Sequence, residues 1–461
     1  MSEDSVPHLA REIIAERAAK KDIISFAEYF LGLDVPQHHR EAYQLYEALE
    51  GGTWSAEWVC PVGHGKSTVW AYAVPLWEIC NDRDARILMA AKNDAMAANA
   101  ARRIRHELES NEKLLRAYGK FETEIWSETK FQVSRPSNLK DPTLTVTGLG
   151  GGIEGVRLTL AILDDVIDIT SMTSEAERRR AIEWYAHTLR PRMEPQGRVL
   201  VVGTPWHPDD LYAALHTSPA FKQLRHEAIK QDGQPLWPSR FSLSRLTEIR
   251  ADVGELAFKQ KFLCSPQAIT GNLLKAEWLH YWDPAADPPD VEDLEIRMGV
   301  DPAISQKDSA DDSAIVTCGY DRSGRKVYEM DTWAEKVDFP ELLQMIIRKA
   351  EYWHPTKIMV EENAYQASIR QALAKTSNLP IVGVKTHKDK VTRMLALSPH
   401  FEAGRLLLKR TNIKLVSQYL DFPHGRHDDT LDALELCVHD WLSTGSGNYG
   451  PVEVDWGELL R

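Results

Sequence analysis

The sequence predicts an α/β protein of two domains, and three observations lead to this prediction. Strands alternate with helices in both halves of the chain, the pattern of largely parallel sheets. Polar residues stand at the ends of apolar strands, and a stretch rich in proline and aspartate separates the halves. With 461 residues, the chain also exceeds the roughly 100–200 residues of a typical domain. We therefore predict domains over 1–263 and 296–442, a linker over 264–295 and a flexible acidic tail over 443–461.

Composition and charge are those of an ordinary globular protein, with 43% hydrophobic and 27% charged residues. The net charge of -13 argues against a protein that coats nucleic acid through one basic field, but transient DNA binding needs only local basic patches. The arginines at 102–105 and 178–180 could supply them, although solvated helix faces explain each cluster more simply. No C-x-x-C spacing and no apolar run of roughly 18 residues occurs, so we expect an intracellular protein outside membranes.

The first half is interpreted as one nucleotide-binding core that follows an N-terminal helical segment. Continuous apolar runs indicate buried central strands, and apolar residues at helical spacing indicate helices packed on a sheet. The predicted elements are, in order, strand EWVCPV (57–62), helix KSTVWAYAVPLWEIC (66–80), strand RILMAA (86–91), helix DAMAANAARRIRHELES (94–110), strand LTLAILDD (158–165) and strand RVLVVGTP (198–205).

The stretch CPVGHGKST is a candidate phosphate-binding loop, because it lies between a predicted strand and a predicted helix. Such a loop wraps phosphate with backbone N–H groups and needs a lysine for the β- and γ-phosphates and a hydroxyl for Mg²⁺. The first glycine of the usual G-x-x-x-x-G-K-[ST] pattern is Cys60 here. Taken alone, the stretch is therefore equally well explained as a turn before an amphipathic helix. The expected nucleotide contacts are Gly63, His64, Gly65, Lys66, Ser67 and Thr68.

Two further polar strand ends follow in the order expected of an ATPase. LAILDD ends with Asp164 and Asp165, of which the first would hold the Mg²⁺ water shell and the second would orient the attacking water. VLVVGTPWHPDDL places Thr204 after the next buried strand, in a position to sense the γ-phosphate. In isolation the aspartate pair is equally explained as a helix cap. Together the three motifs predict a RecA-like P-loop ATPase domain that binds ATP and Mg²⁺.

The second half is predicted to begin with a strand and a β-hairpin and to end with a helix. The predicted elements are strand IRMGVDPA (296–303), the hairpin of SAIVTCGYD (313–321) and KVYEMDTW (326–333) with its turn at Ser323 and Gly324, helix PELLQMIIRKAEYW (340–353), strand KIMVEEN (357–363), helix ASIRQALAKTS (367–377), strand PIVGVKT (380–386) and helix DDTLDALELCVHDWL (428–442).

Carboxylates stand on this half in the order of an RNase H-like nuclease. Such domains use the first strand, a later strand and the last helix to hold two divalent ions roughly 3.5–4 Å apart. Alternation from Met359 favours Glu361 over Glu362, and an N-cap or surface charge is the simpler interpretation of Asp432. We therefore expect two Mg²⁺ or Mn²⁺ ions in this domain. The candidate ligands are Asp301, Glu361 or Glu362, Asp428 and Asp429.

The combined motifs resemble the large terminase subunit of tailed bacteriophages, from about Pro36 to about Trp441. The resemblance rests on CPVGHGKST, RILMAAKNDAMA, GGGIEGVRLTLAILDDVID and VVGTPWHPDDL, on the carboxylate set, and on KDKVTRMLALSPHFEAGRL. It implies a motor that uses ATP to package double-stranded DNA into a procapsid and an endonuclease that cuts the concatemer. It also implies a portal protein and a small terminase subunit as partners, a homo-oligomeric ring when docked but a monomer in isolation, and action in the host cytoplasm.

The resemblance also implies roles for single residues of the first half. Lys66 and Ser67 would be loop residues, Asp164 the metal-shell carboxylate and Asp165 the catalytic carboxylate. Thr204 would belong to the coupling motif.

Gln37, in VPQHHREAY, resembles the residue that reads the adenine. Two positions depart from the family pattern. The catalytic position often holds glutamate instead of an aspartate, and the loop position often held by arginine is Val62 here. An arginine is therefore expected from elsewhere, naturally a ring neighbour, with Arg135 and Arg157 as candidates that are individually explained as surface or salt-bridging residues.

Two other functions remain open at this point. An ATP-dependent helicase-nuclease of repair or defence would normally carry a second RecA-like domain, but the second half carries carboxylates at its strand ends instead. A scaffold whose ATP site only gates assembly would contain an inactive nuclease, so titration with metal would produce no DNA cleavage.

Overall fold

A computed structural model describes residues 5–49, 54–153, 155–168, 171, 174–266, 273–285, 289, 293–302, 312–361, 379–384 and 390–443. The chain divides into two compact units. The first comprises the described residues of Met1–Thr247 and Leu256–Ala268, and the second those of Glu248–Glu255 and Ile269–Pro451. Each unit is built on its own seven-stranded sheet. None of the helices in the described ranges is long and apolar enough to cross a membrane.

The sheet of the first unit is parallel apart from one edge strand. Its strands are β1 (Ser55–Val59), β2 (Ile87–Ala91), β3 (Lys130–Phe131), β4 (Leu144–Gly148), β5 (Leu158–Asp164), β6 (Met193–Gly203) and β7 (Phe221–Arg225). Their order is β3-β4-β2-β5-β6-β1-β7, and β3 pairs antiparallel with β4. Because β1, β5 and β6 are parallel neighbours, the residues that follow them meet at one edge of the sheet.

The helices of the first unit agree with most of the predicted periodicity. They are α1 (Ser5–Ala19), α2 (Ile23–Tyr29), α3 (Gln37–Glu47), α4 (Lys66–Thr68), α5 (Val74–Asn81), α6 (Asp94–Ser110), α7 (Glu112–Tyr118), α8 (Glu175–Glu183), α9 (Leu211–His216) and α10 (Leu243–Lys261), which is kinked at Gly254 and shared between the units. The predicted helix at 66–80 is interrupted by a π-helical turn at Val69–Ala73. Pro75 follows that turn and lacks the N–H that an α-helix would direct to the carbonyl of Ala71.

The second unit combines a mixed sheet with helices. Its strands are β8 (His280–Trp282), β9 (Glu295–Asp301), β10 (Ser313–Asp321), β11 (Lys326–Glu335), β12 (Lys357–Glu361), β13 (Ile381–Val384) and β14 (Leu406–Lys409), in the order β13-β12-β9-β10-β11-β14-β8. Its remaining helices are α11 (Phe339–Trp353), α12 (Lys390–Glu402), α13 (Ile413–Asp421) and α14 (Asp429–Ser443). The hairpin of β10 and β11 is confirmed: Asp321 Oδ1 accepts the N–H groups of Ser323 at 2.8 Å and Gly324 at 3.0 Å.

The predicted linker at 264–295 is partly structured, which corrects the sequence interpretation. Leu273, Leu274 and Trp278 are buried in the core of the second unit, and β8 forms an edge of its sheet. These apolar residues stabilise the segment in spite of the proline-rich stretch that follows them. The predicted helix at 367–377, Glu362 and the tail beyond Ser443 lie outside the described residues.

Candidate active sites

The glycine loop connects β1 to α4 at the carboxyl edge of the first sheet. Gly63 and Gly65 have φ angles of 77° and 78°, in the left-handed region that disfavours a side chain. Cys60 instead continues the strand, because its N–H donates to the carbonyl of Gly203 on β6 at 3.1 Å. The loop conformation therefore requires glycine at 63 and 65 but not at 60, which explains how a cysteine can replace the first glycine of the pattern.

Lys66 connects the loop to the ends of β5 and β6. Its buried ammonium lies 2.9 Å from Asp165 Oδ2 and 3.4 Å from Thr204 Oγ1. The N–H of Thr204 donates to Asp165 Oδ1 at 3.2 Å, and its hydroxyl donates to the carbonyl of Cys60 at 3.1 Å. Burial opposes the charge of Lys66, but the Asp165 carboxylate raises the Lys66 pKa above its ordinary value, so the side chain is a cation.

Ser67 and Asp164 form an oxygen pair beside this lysine. The Ser67 hydroxyl donates to Asp164 Oδ1 at 2.8 Å. Burial, and then the charge of Asp165, raises the Asp164 pKa to about 7, while Lys66 and Ser67 oppose that rise. A hydroxyl and a carboxylate are the hard oxygen donors that Mg²⁺ prefers, and a cation would favour the ionised form of Asp164. The residues present therefore fit a nucleotide-bound Mg²⁺.

Asp165 has a backbone conformation that is uncommon for its residue type. Its φ of 45° lies in the left-handed region, where aspartate is tolerated better than most residues. This conformation directs its carboxylate towards Lys66 and Thr204. Such backbone outliers are concentrated at functional sites.

The remaining predicted contacts lie on α3 and α4. Gln37 is exposed at the start of α3 and donates to Glu41 Oε1 at 2.9 Å, while Thr68 is partly exposed at the end of α4. The two residues after Gln37 reach the loop itself, since the Nε2 atoms of His38 and His39 lie 3.0 Å and 2.8 Å from the carbonyl of His64. The start of α3 therefore lies against the phosphate-binding loop.

The two arginine candidates differ in accessibility. Arg135 is partly buried, and its Nη2 donates to the carbonyl of Asp141 at 2.6 Å within its own loop. Arg157 is exposed, and its Nη1 donates to the carbonyl of Pro191 at 3.2 Å. Val62, which occupies the loop position often held by arginine in the family that the sequence resembles, is also exposed. Arg157 is thus the one of the two candidates that a neighbouring molecule could reach without disrupting a loop.

In the second unit, β9 and β12 bring two candidate carboxylates to one edge of the sheet. The strands are parallel with Val300 opposite Val360, so Asp301 and Glu361 follow side by side. Helix α14 packs closely on β9 at Gly299, where an added Cβ would lie 1.9 Å from the carbonyl of Ala433. Gly299 therefore allows the close approach that brings the acidic start of α14 to Asp301.

The carboxylates of this edge interact strongly. Burial raises the pKa of Asp301 well above its ordinary range, and the charges of Asp432, Asp429 and Glu361 raise it further, while Lys390 opposes them. Burial likewise raises the Asp432 pKa to about 6. A surplus of buried negative charge with only oxygen donors fits Mg²⁺ or Mn²⁺. The sequence interpretation of Asp432 as an N-cap or surface charge was wrong, because its side chain is buried and it lies within α14.

Sequence reasoning also missed two cations of α12 in this cluster. Lys390 Nζ lies 2.7 Å from Asp428 Oδ1 and 2.5 Å from Asp432 Oδ2. Arg393 lies 3.4 Å from Asp432 Oδ1 and 2.5 Å from Glu435 Oε2. Within the described ranges, no three histidine, cysteine or acidic side chains are already gathered at metal-ligating geometry. Lys390 and Arg393 are three residues apart, so they lie on one face of a helix. This spacing is the sequence feature that could have indicated a pair of cations.

Comparison with known proteins identifies similar folds for both units. Residues 298–440 match the family model of the terminase RNaseH-like domain. The large terminase from a thermophilic bacteriophage has a similar structure, with a TM-score of 0.54 and 11% identity over 88% of this chain and 98% of that chain. The complex of that terminase with ATP-γ-S aligns with a TM-score of 0.53 and 10% identity over 87% of this chain and 98% of that chain.

No curated protein sequence matches the chain. The structural similarity shows that the chain has the fold of a phage large terminase. The fold is similar to that of a terminase ATPase domain followed by an RNase H-like nuclease domain, so the predicted fold class is confirmed.

Proposed function

We propose that this chain, which has the fold of a phage large terminase, is the motor subunit that hydrolyses ATP to translocate double-stranded DNA into a procapsid. We further propose that it cuts concatemeric DNA by two-metal endonuclease chemistry. The observation that carries the proposal is the presence of two different sites in one chain: a glycine loop whose lysine contacts two strand ends, and a separate cluster of buried carboxylates. The helicase-nuclease alternative is disfavoured, because the second sheet has the antiparallel strand β10 and carboxylates where a RecA-like core would have a glycine loop.

The residues of the first site would bind and orient ATP. When bound, ATP supplies the transferable phosphoryl group, and its Mg²⁺ neutralises negative charge during the transfer. Backbone N–H groups at Gly63 to Lys66 would cradle the phosphates, and Ser67 with Asp164 would hold the Mg²⁺. Asp165 would then turn from Lys66 to orient the attacking water. The terminase of the thermophilic bacteriophage was crystallised with ADP and with ATP-γ-S, which supports nucleotide binding by this fold.

Asp165 would also transmit hydrolysis to the sheet. Its Oδ1 accepts the N–H of Thr204, while its Oδ2 faces Lys66, so one carboxylate contacts both the loop and the end of β6. A change at the γ-phosphate that moves Lys66 would alter the Asp165 contacts and thereby Thr204. This connection supports a coupling role for Thr204.

The residues of the second site would bind two Mg²⁺ or Mn²⁺ ions. Asp301, Glu361, Asp428 and Asp429 are the proposed ligands, and Asp432 joins them as a buried neighbour of Asp301. When bound, the ions provide an activated water and stabilise the leaving oxygen. The charge of Lys390 favours the ionised forms of the nearby carboxylates, because it opposes the rise that burial causes in the pKa values of Asp301 and Asp432.

The proposed partners follow from the work of such a motor. A protein that moves DNA must be fixed to the opening of the procapsid, for which a portal protein is the proposed anchor, while a small terminase subunit would deliver the DNA. We propose a monomer in isolation and a homo-oligomeric ring on the procapsid. The ring would let a neighbour supply the arginine that is absent at Val62, and the assembly would act in the host cytoplasm.

The decisive experiment combines both reactions in one preparation. Purified protein is incubated with plasmid DNA, ATP and either Mg²⁺ or Mn²⁺, and phosphate release and strand cleavage are measured together. We expect both activities, with both lost on chelation by EDTA. Phosphate release without cleavage under either metal would favour the scaffold alternative, and the absence of both activities in folded protein would overturn the proposal.

A further inference from the structure

Two consecutive histidines of α3 contact the same backbone carbonyl in the phosphate-binding loop. The Nε2 atoms of His38 and His39 lie 3.0 Å and 2.8 Å from the carbonyl oxygen of His64. Both side chains are buried, with 1% and 4% of their surface exposed. A carbonyl oxygen has two lone pairs, so it can accept one N–H from each ring when both rings carry their proton on Nε2.

The orientation of the His64 carbonyl determines the direction of the Gly65 N–H. The His64 carbonyl and the Gly65 N–H belong to one planar trans peptide, in which the two groups point in opposite directions. A carbonyl held by the α3 histidines therefore turns the Gly65 N–H away from α3. Gly65 directly precedes Lys66, whose ammonium lies at the ends of β5 and β6.

Histidine and phenylalanine side chains also pack against the phosphate-binding loop. An added Cβ at Gly65 would lie 2.4 Å from His39 Nε2, and one at Gly63 would lie 3.0 Å from Phe241 Cζ. The His64 ring stacks on Phe241 with centroids 4.5 Å apart and an interplanar angle of 15°. Residues 63–65 therefore pack against α3 histidines and an aromatic ring, which restricts the loop before any ligand arrives.

Burial of these histidine rings has an energetic cost. Within the described part of the chain, His38 Nδ1 and His64 Nε2 are buried without a hydrogen-bond partner. A buried polar atom without a partner costs roughly 1–3 kcal/mol. Burial lowers the His38 pKa to about 3 and the His39 pKa to about 4, so both rings are neutral at pH 7. Each neutral ring has one N–H, and among the described residues the carbonyl of His64 is the hydrogen-bond partner of the His38 ring, whose Nδ1 has none. The His39 ring also has the backbone of Asp34 as a partner, and it donates to the loop in the tautomer that carries the proton on Nε2.

We propose that His38 and His39 are positioning residues for phosphate binding, which hold the His64–Gly65 peptide so that the Gly65 N–H faces the bound phosphate. The inference rests on the proposed function, namely that the loop binds ATP. A donor that is already aimed loses no orientational freedom when the ligand binds. Because the phosphate is present in both the ground state and the transition state, the contact should act mainly on nucleotide affinity.

The test compares side chains at positions 38 and 39 that can donate a hydrogen bond to the His64 carbonyl with side chains that cannot. His39→Phe and His38→Phe keep an aromatic ring but lose the N–H, whereas His39→Gln retains an amide N–H near the same carbonyl. We expect each Phe variant to weaken binding of a fluorescent ADP analogue and to raise the KM for ATP about tenfold, the value of one hydrogen bond, with a smaller change in kcat. His39→Gln should recover most of the lost affinity. The exposed His187→Phe is the matched control and should bind like the wild type.

Amide hydrogen exchange provides a second measurement if a Phe variant is destabilised. In the wild type, the Gly65 N–H should become protected when ADP binds, and this protection should be smaller in His39→Gln than in the wild type but clearly present. Phe variants that fold and bind the analogue with wild-type affinity would overturn the positioning role while leaving ATP binding intact. Folded wild-type protein that binds no nucleotide would overturn the proposed ATP site and this inference with it.

Discussion

In the first unit one lysine is paired with one carboxylate at the ends of β5 and β6, whereas in the second unit six carboxylates interact with one another or with two cations of α12. The six are Asp301, Glu361, Asp428, Asp429, Asp432 and Glu435, and the cations are Lys390 and Arg393. The first site has a permanent cation and backbone N–H donors, which suits a polyphosphate anion with its Mg²⁺. The second has an excess of negative charge, so it must recruit cations before it can approach a DNA phosphate.

The two sites also differ in how the chain assembles them. The first uses residues that directly follow three adjacent parallel strands, so the sheet itself brings them together. The second needs a strand and a distant helix to pack closely at a single glycine. This difference teaches that strand order alone organises the first site, whereas the second depends on tertiary packing between distant segments. Single substitutions should therefore impair one site and leave the other active.

The largest expected effect is the loss of ATP hydrolysis in Lys66→Ala. The substitution removes the cation that would contact the transferring phosphate, at a cost on the order of a thousandfold in rate. Metal-dependent plasmid cleavage should persist, because the carboxylate cluster lies in the other unit. Phosphate release and plasmid nicking are measured on the same sample. Lys120→Ala, an exposed lysine of the same unit, is the control, and wild-type hydrolysis by Lys66→Ala would remove the loop from the mechanism.

Asp301→Asn should produce the reverse pattern, with ATP hydrolysis retained and cleavage reduced by at least about a hundredfold. A metal ligand contributes through ions worth several kcal/mol of transition-state stabilisation, at about 1.4 kcal/mol per tenfold in rate. Without metal, this variant should melt at a higher temperature than the wild type, because burial and neighbouring carboxylates oppose the charge of Asp301. The exposed Glu351→Gln serves as control. Unchanged cleavage with Mn²⁺ would show that Asp301 is not a ligand.

Gly299→Ala should damage only the second site. The added methyl would lie 1.9 Å from the carbonyl of Ala433 and 2.7 Å from the N atom of Cys437, so α14 must shift away from β9. Overpacking of this kind costs about 1–3 kcal/mol. We expect a lower unfolding midpoint in urea and weaker cleavage, with ATP hydrolysis unchanged. A variant with wild-type cleavage and stability would contradict the close packing of α14 on β9.

The smallest expected effect at neutral pH concerns the acid stability of the first unit. Burial lowers the pKa values of His38, His39 and His64 to about 3, 4 and 4, whereas unfolded histidines titrate near 6.5. Below about pH 6.5 these histidines bind protons in the unfolded chain but not in the folded protein. The free energy of unfolding therefore falls as pH falls. Each ring contributes up to about 1.4 kcal/mol per pH unit between the two pKa values.

His38→Phe removes one of these rings and should reduce that slope by up to about 1.4 kcal/mol per pH unit between pH 6 and pH 4. Urea unfolding curves at several pH values measure the difference. The exposed His187→Phe should leave the slope unchanged. Parallel pH profiles for wild type and His38→Phe would mean that folding does not lower the His38 pKa.

Much of the first site was predictable because its signals are local. A continuous apolar run identifies a buried parallel strand, and the polar residues that follow it must lie at the carboxyl edge of the sheet. Asp164, Asp165 and Thr204 could therefore be placed beside the loop from the sequence. The role of Cys60 could not, because only the paired backbone shows that position 60 keeps a strand conformation and needs no glycine.

Prediction was less complete where contacts cross long sequence distances. Asp432 resembled a surface charge because its burial depends on the packing of α14 against β9 and α12. Lys390 and Arg393 were missed because a cation on an amphipathic helix is usually solvated, and nothing local indicates which carboxylates it will meet. The structured part of the predicted linker was missed because composition reports proline and aspartate but not the core that accepts Leu273 and Trp278.

The sequence by itself determined the two-unit α/β architecture, the glycine loop and the strand-end carboxylates, since apolar periodicity and residue order are properties of the chain alone. Only the tertiary structure decided which charges face one another. Burial removes water from Asp301 and Asp432 and strengthens their interactions with Lys390, and it places His38 and His39 on one loop carbonyl. Electrostatic and hydrogen-bond energies depend on distance and desolvation, which the folded chain sets and a linear pattern does not contain.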